Sequence, residues 1–217
     1  MQPLSRFITF EGGEGAGKST QLKLLAQACH NLGIDAISTR EPGGSKGAEA
    51  IRELVVTGAI DRWNPVTESL LFMAARYDHI ETQIRPALAA GKWVLCDRFF
   101  DSTRIYQGVA KHVGQEWLLQ LYSLLYGALK PDLTLLLDLP PEIGLARAKA
   151  RSGNETRFEQ MDASFHKKLQ NGFLDLAKNE PDRFIVIDAT QTSQTVHNAI
   201  ISALNSRLGL SLNPETQ

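Results

Sequence analysis

Residues 12–19 read Gly-Gly-Glu-Gly-Ala-Gly-Lys-Ser and match the spacing G-x-x-x-x-G-K-S/T of a phosphate-binding loop. An apolar run, Phe7–Phe10, precedes the loop, and a stretch with helical periodicity follows it from Lys18. In this context the glycines let successive backbone N–H groups turn inward around an anion, and the helix N-terminus adds its positive dipole end. The pattern therefore predicts a strand, a loop and a helix that together bind a nucleoside triphosphate.

The residue types in the loop have separate roles in holding a triphosphate. Lys18 can reach the β- and γ-phosphates, and the hydroxyl of Ser19 can ligate Mg²⁺. The other predicted ATP-binding residues of the loop are Gly12, Gly13, Glu14, Gly15, Ala16, Gly17 and Thr20. An ordinary glycine-rich turn is the alternative, but the required lysine and hydroxyl at fixed spacing favour the phosphate loop.

The composition is that of one globular domain with a nearly balanced charge. The chain has 217 residues, of which 43% are hydrophobic and 22% charged, and its formal net charge is -1. This length suits one domain, expected over residues 1–210 with a C-terminal tail at 211–217. The charge argues against nucleic acid or an anionic membrane as the main partner. Two cysteines without C-x-x-C spacing favour the reducing cytoplasm, and no apolar run is long enough to predict a membrane span.

Short apolar runs alternate with helical stretches along the chain. The predicted strands are Phe7–Phe10, Ala36–Thr39, Trp93–Cys96, Leu133–Leu137 and Phe184–Ile187. The predicted helices are Lys18–Asn31, Gly47–Val56, Pro65–Ala90, Gln115–Tyr126, Pro141–Ala150, Asp162–Lys178 and Thr192–Leu208. Such alternation predicts an α/β fold with a five-stranded parallel sheet flanked by helices. Ligands of these sheets bind at the carboxyl ends of the strands.

Polar residues at two of these strand ends indicate a second, phosphorylated substrate. Arg40 follows the second strand, and Asp97-Arg98 follow the third. Asp97 could cap a helix or form a turn, but beside a triphosphate it is well placed to hold Mg²⁺. An arginine at position 98 binds phosphate and does not activate water, so we expect transfer to a phosphate-bearing acceptor. That acceptor is largely ionised at neutral pH and needs no general base.

Three arginines surround the polar segment 152–155 after the fourth strand. Arg147, Arg151 and Arg157 follow the pattern of a helix end and a polar lid, at about residues 151–160. A lid of this kind would close over bound phosphates and exclude water. Taken alone, the segment fits a solvated surface loop equally well.

Several motifs follow the phosphate loop in a specific order. They are Phe10–Thr20, Thr39–Ser45, Phe72–Arg76, Asp97–Phe99 with Ser102-Thr103 and Tyr106-Gln107, and Asp188–Thr190. In order and spacing they resemble the bacterial thymidylate kinases, which are P-loop nucleoside monophosphate kinases, over nearly the whole chain. The resemblance implies the reaction of ATP and dTMP to ADP and dTDP with Mg²⁺, usually in a homodimer. It also implies the five-stranded parallel sheet of that family, with a short arginine-rich lid.

The resemblance also implies the roles of individual acceptor-site residues. Arg40 and Arg98 look like the clamp for the acceptor phosphate, and Glu14 would face the 3′-hydroxyl of the acceptor sugar. Phe72 would stack on thymine, while Tyr106 would crowd the 2′ position and disfavour ribonucleotides. The polar edge of the base would contact Arg76, Thr103 and Gln107. From the residues alone, Phe72 and Tyr106 fit core packing as well.

The catalytic groups implied by the resemblance are mostly cations. They are Lys18, Arg98, Arg147, Arg151 and Arg157, together with the carboxylate of Glu14. Ala189 and its neighbours would border the adenine through their backbone. The chain departs from the family pattern at Ser45, Phe99, Arg104 and Thr156. These departures affect details of the acceptor contacts and of lid closure.

Two other functions fit a phosphate loop. The acceptor could be another nucleoside monophosphate or a nucleoside, although Arg40 and Arg98 favour a phosphorylated one. The chain could also be a switch protein that binds and slowly hydrolyses a nucleotide. It has no N-K-x-D guanine motif, and the acceptor-side arginines would then lack a role.

Overall fold

The computed structural model describes residues 5–150 and 157–214 and has an α/β fold. Its strands are β1 Phe7–Glu11, β2 Ala36–Arg40, β3 Trp93–Asp97, β4 Leu133–Asp138 and β5 Phe184–Asp188. Within the described residues they form one parallel sheet in the order β2-β3-β1-β4-β5. The predicted fold class is therefore confirmed.

Helices cover both faces of the sheet. They are α1 Lys18–Asn31, α2 Lys46–Val56, α3 Pro65–His79, α4 Arg85–Ala89, α5 Phe100–Thr103, α6 Gln115–Tyr126, α7 Pro141–Lys149, α8 Ala163–Asn179 and α9 Ser193–Leu208. Two π-helical segments, Ile80–Ile84 and Arg104–Ala110, directly follow α3 and α5. None of the described helices combines the length and the apolarity that a membrane crossing requires.

The core explains why the strands lack an alternating pattern. Neighbouring residues of a strand point to opposite faces of the sheet. Phe7 packs into a cluster with Met73 of α3, whereas Ile8 packs into another with Leu25 of α1. Every residue of β1 is buried, because both faces are covered. The strand therefore reads as a continuous apolar run.

The strand order places the phosphate loop at the centre of the carboxyl edge of the sheet. β1 lies between β3 and β4, and chain connections from it leave toward both sides. This is the topological switch point at which ligands of open α/β sheets bind. Each strand extends one residue beyond the predicted apolar run, and that residue is polar. The strands thus carry Glu11, Arg40, Asp97, Asp138 and Asp188 to one edge.

Two helical regions differ from the prediction. The single helix expected from Pro65 to Ala90 is divided into α3, a π-helical segment and α4. The segment Phe100–Ala110, which was not predicted as helical, forms α5 and the second π-helix. Segments of π-helix occur frequently at functional sites.

Candidate active site

The phosphate loop joins the end of β1 to the start of α1. Gly12 has φ of +136°, and a Cβ there would lie 2.5 Å from the carbonyl oxygen of Leu137. Only glycine is compatible with both constraints. Gly17 has φ of +90° and precedes α1, whose first turn has no side-chain cap. An uncapped helix N-terminus of this kind is a ready anion site.

Lys18 is buried and folds back over the loop. Its Nζ donates to the carbonyl oxygens of Gly12 at 3.2 Å and Gly13 at 2.8 Å. Burial and the neighbouring Arg98 guanidinium lower the pKa of Lys18 to about 8, against the opposing effect of nearby carboxylates. A bound polyanion would stabilise its charged form.

Ser19 and Asp97 bring two oxygen ligands together beside the loop. Ser19 Oγ donates to Asp97 Oδ2 at 2.6 Å. Mg²⁺ prefers oxygen ligands and is commonly held by one or two protein groups together with substrate phosphates. In residues 5–150 and 157–214, no group of three or more His, Cys, Asp or Glu could hold a metal ion. The Ser19 and Asp97 pair suits a magnesium ion that phosphate largely ligates.

Glu14 and Arg98 form an ion pair between the phosphate loop and β3. Arg98 donates from NH2 to Glu14 Oε1 at 3.0 Å, and the hydroxyl of Tyr106 donates to the same oxygen at 2.8 Å. Burial alone would raise the pKa of Glu14, but Arg98, Lys18 and the Tyr106 hydroxyl hold it at about 2. Glu14 is therefore a carboxylate at neutral pH.

The backbone of Arg98 is left-handed, with φ of +69°, which is uncommon for a residue with a Cβ. Its N–H donates to Phe10 O at 2.9 Å, and its NH1 donates to Gly12 O and Ser102 Oγ. Such conformations persist where the surroundings hold them, and they concentrate at functional sites. Here the contacts direct the guanidinium to the junction with Glu14.

A cleft lies next to this ion pair, with about 670 Å³ of space that includes the open solvent at its mouth. Most of the predicted acceptor residues line it: Glu14, Phe72, Arg76, Arg98, Thr103, Tyr106 and Gln107. Phe72 is half-buried and exposes part of its ring, while Tyr106 and Gln107 lie in the second π-helix and are buried. The structure thus brings residues from the phosphate loop, α3, the segment after β3, α5 and the second π-helix to one cleft.

Arg76 is held rigidly at the cleft wall. Its NE donates to Glu41 Oε2 at 2.6 Å and its NH2 donates to Phe99 O at 3.1 Å. The other oxygen of Glu41 pairs with His79 Nδ1 at 3.0 Å, and His79 Nε2 pairs with Thr39 Oγ1. A guanidinium has five N–H donors, so further donors remain for a ligand.

Arg40 is the predicted acceptor residue that does not line the cleft. Its side chain is 53% exposed and pairs with Glu49 at 3.1 Å. Arg52 of α2 lines the cleft, and its NH1 donates to Pro42 O at 2.5 Å. Arg52 could not be selected from its sequence position, because it lies within an amphipathic helix away from any strand end.

The lid arginines are in different positions. Arg147, predicted as a catalytic lid residue, is exposed and donates to the carbonyl oxygen of Ala189, the residue predicted beside the adenine, at 3.1 Å. Arg151 lies outside the described residues. Arg157 is buried and donates to the carbonyl oxygens of Val55, Ala59 and Ile60. Its NH1 also pairs with Glu68 at 2.5 Å. A catalytic role for Arg157 stays a prediction, and it requires these contacts to break.

Sequence reasoning missed the buried carboxylates beneath the cleft, which are Glu11, Glu41 and Glu68. Glu11 accepts from the N–H of Phe99 at 2.8 Å and from Ser102 Oγ at 2.6 Å. Burial and the nearby Asp101 raise the pKa of Glu11 to about 7. A glutamate at a strand end or in a first helical turn is usually solvated, so its sequence position carried little signal.

A phosphate loop at the switch point, with an arginine-lined cleft against it, defines a P-loop enzyme of the nucleoside monophosphate kinase type. Residues 10–200 match the family model described as thymidylate kinase. The thymidylate kinase of Caulobacter vibrioides is 56% identical over 204 residues, covering 94% of this chain and 98% of that protein. The chain belongs to the thymidylate kinase family.

Further relatives agree with this assignment. The thymidylate kinase of Magnetococcus marinus is 52% identical over 206 residues, covering 95% of this chain and 98% of that protein. A crystal structure of thymidylate kinase from Ehrlichia chaffeensis has a TM-score of 0.75 and 34% sequence identity. The match covers 93% of this chain and 99% of that one. The fold and the family therefore agree over nearly the full length.

Proposed function

We propose that the protein transfers the γ-phosphoryl group of ATP to the phosphate of dTMP, with Mg²⁺, and releases ADP and dTDP. The observation that carries this proposal is the 3.0 Å contact between Glu14 of the phosphate loop and Arg98 at the acceptor cleft. It joins the phosphate loop directly to a cleft lined by arginine and aromatic side chains. A phosphate oxygen of dTMP would form the new bond to phosphorus as the bond to the ADP oxygen breaks.

On the donor side, the loop N–H groups and Lys18 would bind the triphosphate. Ser19 and Asp97 would hold Mg²⁺, which supplies positive charge to the phosphoryl oxygens when bound. Little covalent chemistry is required of the protein in phosphoryl transfer, so positioning and charge stabilisation dominate. The present Lys18 contacts to Gly12 O and Gly13 O would exchange for phosphate oxygens.

On the acceptor side, Arg98 would bind the phosphate of dTMP. Arg40 would join it by leaving Glu49, and the cleft position of Arg52 supports a third cationic contact. Glu14 would accept a hydrogen bond from the 3′-hydroxyl, which its ionised state permits.

The base would enter the inner part of the cleft. Phe72 would stack on the pyrimidine, and the polar edge would meet Arg76, Thr103 and Gln107. Tyr106 would exclude a 2′-hydroxyl, because its ring packs against Phe158 at 5.4 Å and its hydroxyl is fixed by Glu14. Stacking supplies affinity, and fixed hydrogen bonds supply discrimination.

The remaining expectations concern the lid, the assembly and the compartment. Residues 1–210 would act as one domain with a lid at about 151–160; Arg147, Arg151 and Arg157 would reach the phosphates, and Ala189 would lie beside the adenine. A homodimer is supported by exposed apolar side chains on α3 and α6, including Leu70 and Leu124. Two free, buried cysteines suit the cytoplasm.

An acceptor panel tests the proposal. ADP release with dTMP, dUMP, dCMP, UMP and dGMP should be fastest with dTMP and should require Mg²⁺. Arg98→Ala should lower kcat/KM for dTMP by about a hundredfold or more, as expected for loss of charge-assisted contacts. Arg207→Ala is the matched control, because Arg207 donates to Pro181 O and Asp182 O near the amino end of β5. A purine used as well as dTMP, or hydrolysis that no monophosphate changes, would contradict the assignment.

A further inference from the structure

Glu68 lies in the first turn of α3 and has a fully buried carboxylate. Its Oε1 accepts from Gln107 Nε2 at 2.8 Å and from Lys111 Nζ at 2.7 Å. Its Oε2 accepts from Lys111 at 2.8 Å and pairs with Arg157 NH1 at 2.5 Å. A buried charge is tolerated only when it is paired and hydrogen-bonded in this way.

This carboxylate fixes the orientation of the Gln107 side chain. An ionised carboxylate accepts hydrogen bonds and cannot donate one. The atom of Gln107 that faces Glu68 must therefore be the amide nitrogen. Gln107 also lines the cleft, so its carbonyl oxygen Oε1 is the polar atom left for a ligand.

The orientation matters because pyrimidines differ at N3. Thymine and uracil carry an N3–H donor, whereas N3 of cytosine is an acceptor. An amide oxygen can accept a hydrogen bond from N3–H of thymine or uracil. The same oxygen would face another acceptor at N3 of cytosine. A site built for one hydrogen-bonding pattern discriminates strongly against the reverse pattern, because a buried polar group is left unpaired.

Two cations balance the charge of Glu68: Lys111 contacts both carboxylate oxygens, and Arg157 contacts Oε2. Lys111 follows the second π-helix, and burial lowers its pKa while Glu68 opposes that effect. Arg157 is also held by Val55 O, Ala59 O and Ile60 O. The carboxylate is thus held by three side chains, two from the segment 107–111 and one at Arg157.

We propose that Glu68 is a positioning residue for base selection, which holds Gln107 with its carbonyl oxygen toward the pyrimidine N3–H. The inference rests on the proposed function, since it needs a pyrimidine nucleotide in the cleft. Glu68 touches no substrate and acts through Gln107.

The test is the ratio of kcat/KM for dTMP over dCMP. Glu68→Gln lets the Gln107 amide turn, so the ratio should fall by roughly ten- to a hundredfold, as for exchange of one donor–acceptor match. Lys111→Met is the matched control, because it perturbs the same cluster but leaves the Glu68–Gln107 contact. It should leave the ratio within about twofold while lowering stability.

A double-variant cycle separates positioning from general damage. In a Gln107→Ala background, Glu68→Gln should not change the ratio further, because the residue through which it acts is gone. A Glu68→Gln variant that loses activity toward dTMP and dCMP in proportion would overturn the inference. A wild-type chain with no preference for dTMP would instead refute the proposed function.

A second measurement does not depend on the folding of Glu68→Gln. Wild-type protein should bind N3-methyl dTMP more weakly than dTMP by about tenfold or more in calorimetry, since the methyl group removes the proton that Oε1 accepts. Gln107→Ala should reduce that difference. Equal differences in the two proteins would show that Gln107 does not accept from N3 and would overturn the inference.

Discussion

Glu14→Gln tests whether the ion pair at the centre of the site has the strength that its surroundings indicate. The substitution keeps the shape of the side chain and an oxygen that can accept from Tyr106 and Arg98, but it removes the charge. The fold holds the pKa of Glu14 at about 2, against an ordinary value of 4.5. At about 1.36 kcal/mol for each pKa unit, this difference corresponds to roughly 3 kcal/mol of stability at neutral pH. The side chain is 19% exposed, so solvent screening removes only part of it.

The sign of the pH dependence follows from the lowered pKa. A carboxyl group with a depressed folded-state pKa contributes stability above its unfolded pKa and loses it as the pH falls through the folded value. The stability gap between wild type and Glu14→Gln should therefore be roughly 3 kcal/mol at pH 7 and about half of that at pH 3. Urea unfolding followed by tryptophan fluorescence measures it.

The control is Tyr106→Phe, which removes one hydrogen bond at 2.8 Å and leaves the charge of Glu14 paired with Arg98. It should cost about 1.5–3 kcal/mol, the usual range for hydrogen bonds to charged groups. The unfolding free energy of Tyr106→Phe should depend on pH in nearly the same way as that of wild type. A gap for Glu14→Gln that is the same at pH 3 and pH 7 would refute the electrostatic reasoning.

Three other substitutions test separate parts of the site. Lys18→Ala should reduce turnover by about a hundredfold or more in the ADP-release assay while the unfolding midpoint stays close to wild type, and near-normal turnover would exclude its phosphate role. Glu11→Gln should flatten the pH dependence of the unfolding free energy between pH 4.5 and 7. In wild type the raised pKa of Glu11 contributes its full stabilisation below pH 4.5, and roughly 3 kcal/mol of that stabilisation is lost as the pH rises through 7. Arg157→Met should lower stability by about 3–5 kcal/mol in urea titration because it leaves Glu68 less well paired, and a change below 1 kcal/mol would contradict an anchoring role.

The sheet could be predicted because its information is local. Buried parallel strands read as short apolar runs, and all five runs were placed correctly except for their last residue. That residue was polar in every strand, as at Glu11 and Asp97, and an apolar pattern cannot include it. Hydrogen bonding to the neighbouring strand extends the strand regardless of side-chain polarity, because the ladder uses backbone groups.

The cleft was harder to predict, because the position of each of its side chains depends on contacts with residues that are distant in sequence. Spacing marks Arg40 and Arg98 equally as strand-end cations, yet Arg98 is held at the cleft by Glu14 and Ser102, and Arg40 is exposed beside Glu49. Segment 100–110 forms a short helix and a π-helix, which lack the long 3.6-residue periodicity that sequence reasoning detects. Only the resemblance pointed to Thr103, Tyr106 and Gln107.

Arg147 and Arg157 show that a cluster of charges in the sequence does not reveal where each side chain lies in the fold. In sequence, Arg157 belongs to the same cationic group as Arg147 and invites the same catalytic interpretation. In the fold, three backbone carbonyls and Glu68 surround the guanidinium of Arg157, whereas Arg147 remains exposed beside Ala189. Catalysis of phosphoryl transfer needs cations placed at the developing charge, whereas the donors of Arg157 are engaged by Val55 O, Ala59 O, Ile60 O and Glu68. Arg157 therefore joins Glu68 of α3 to the segment 55–60, whereas Arg147 donates only to the backbone of Ala189 within the residues that the structure describes.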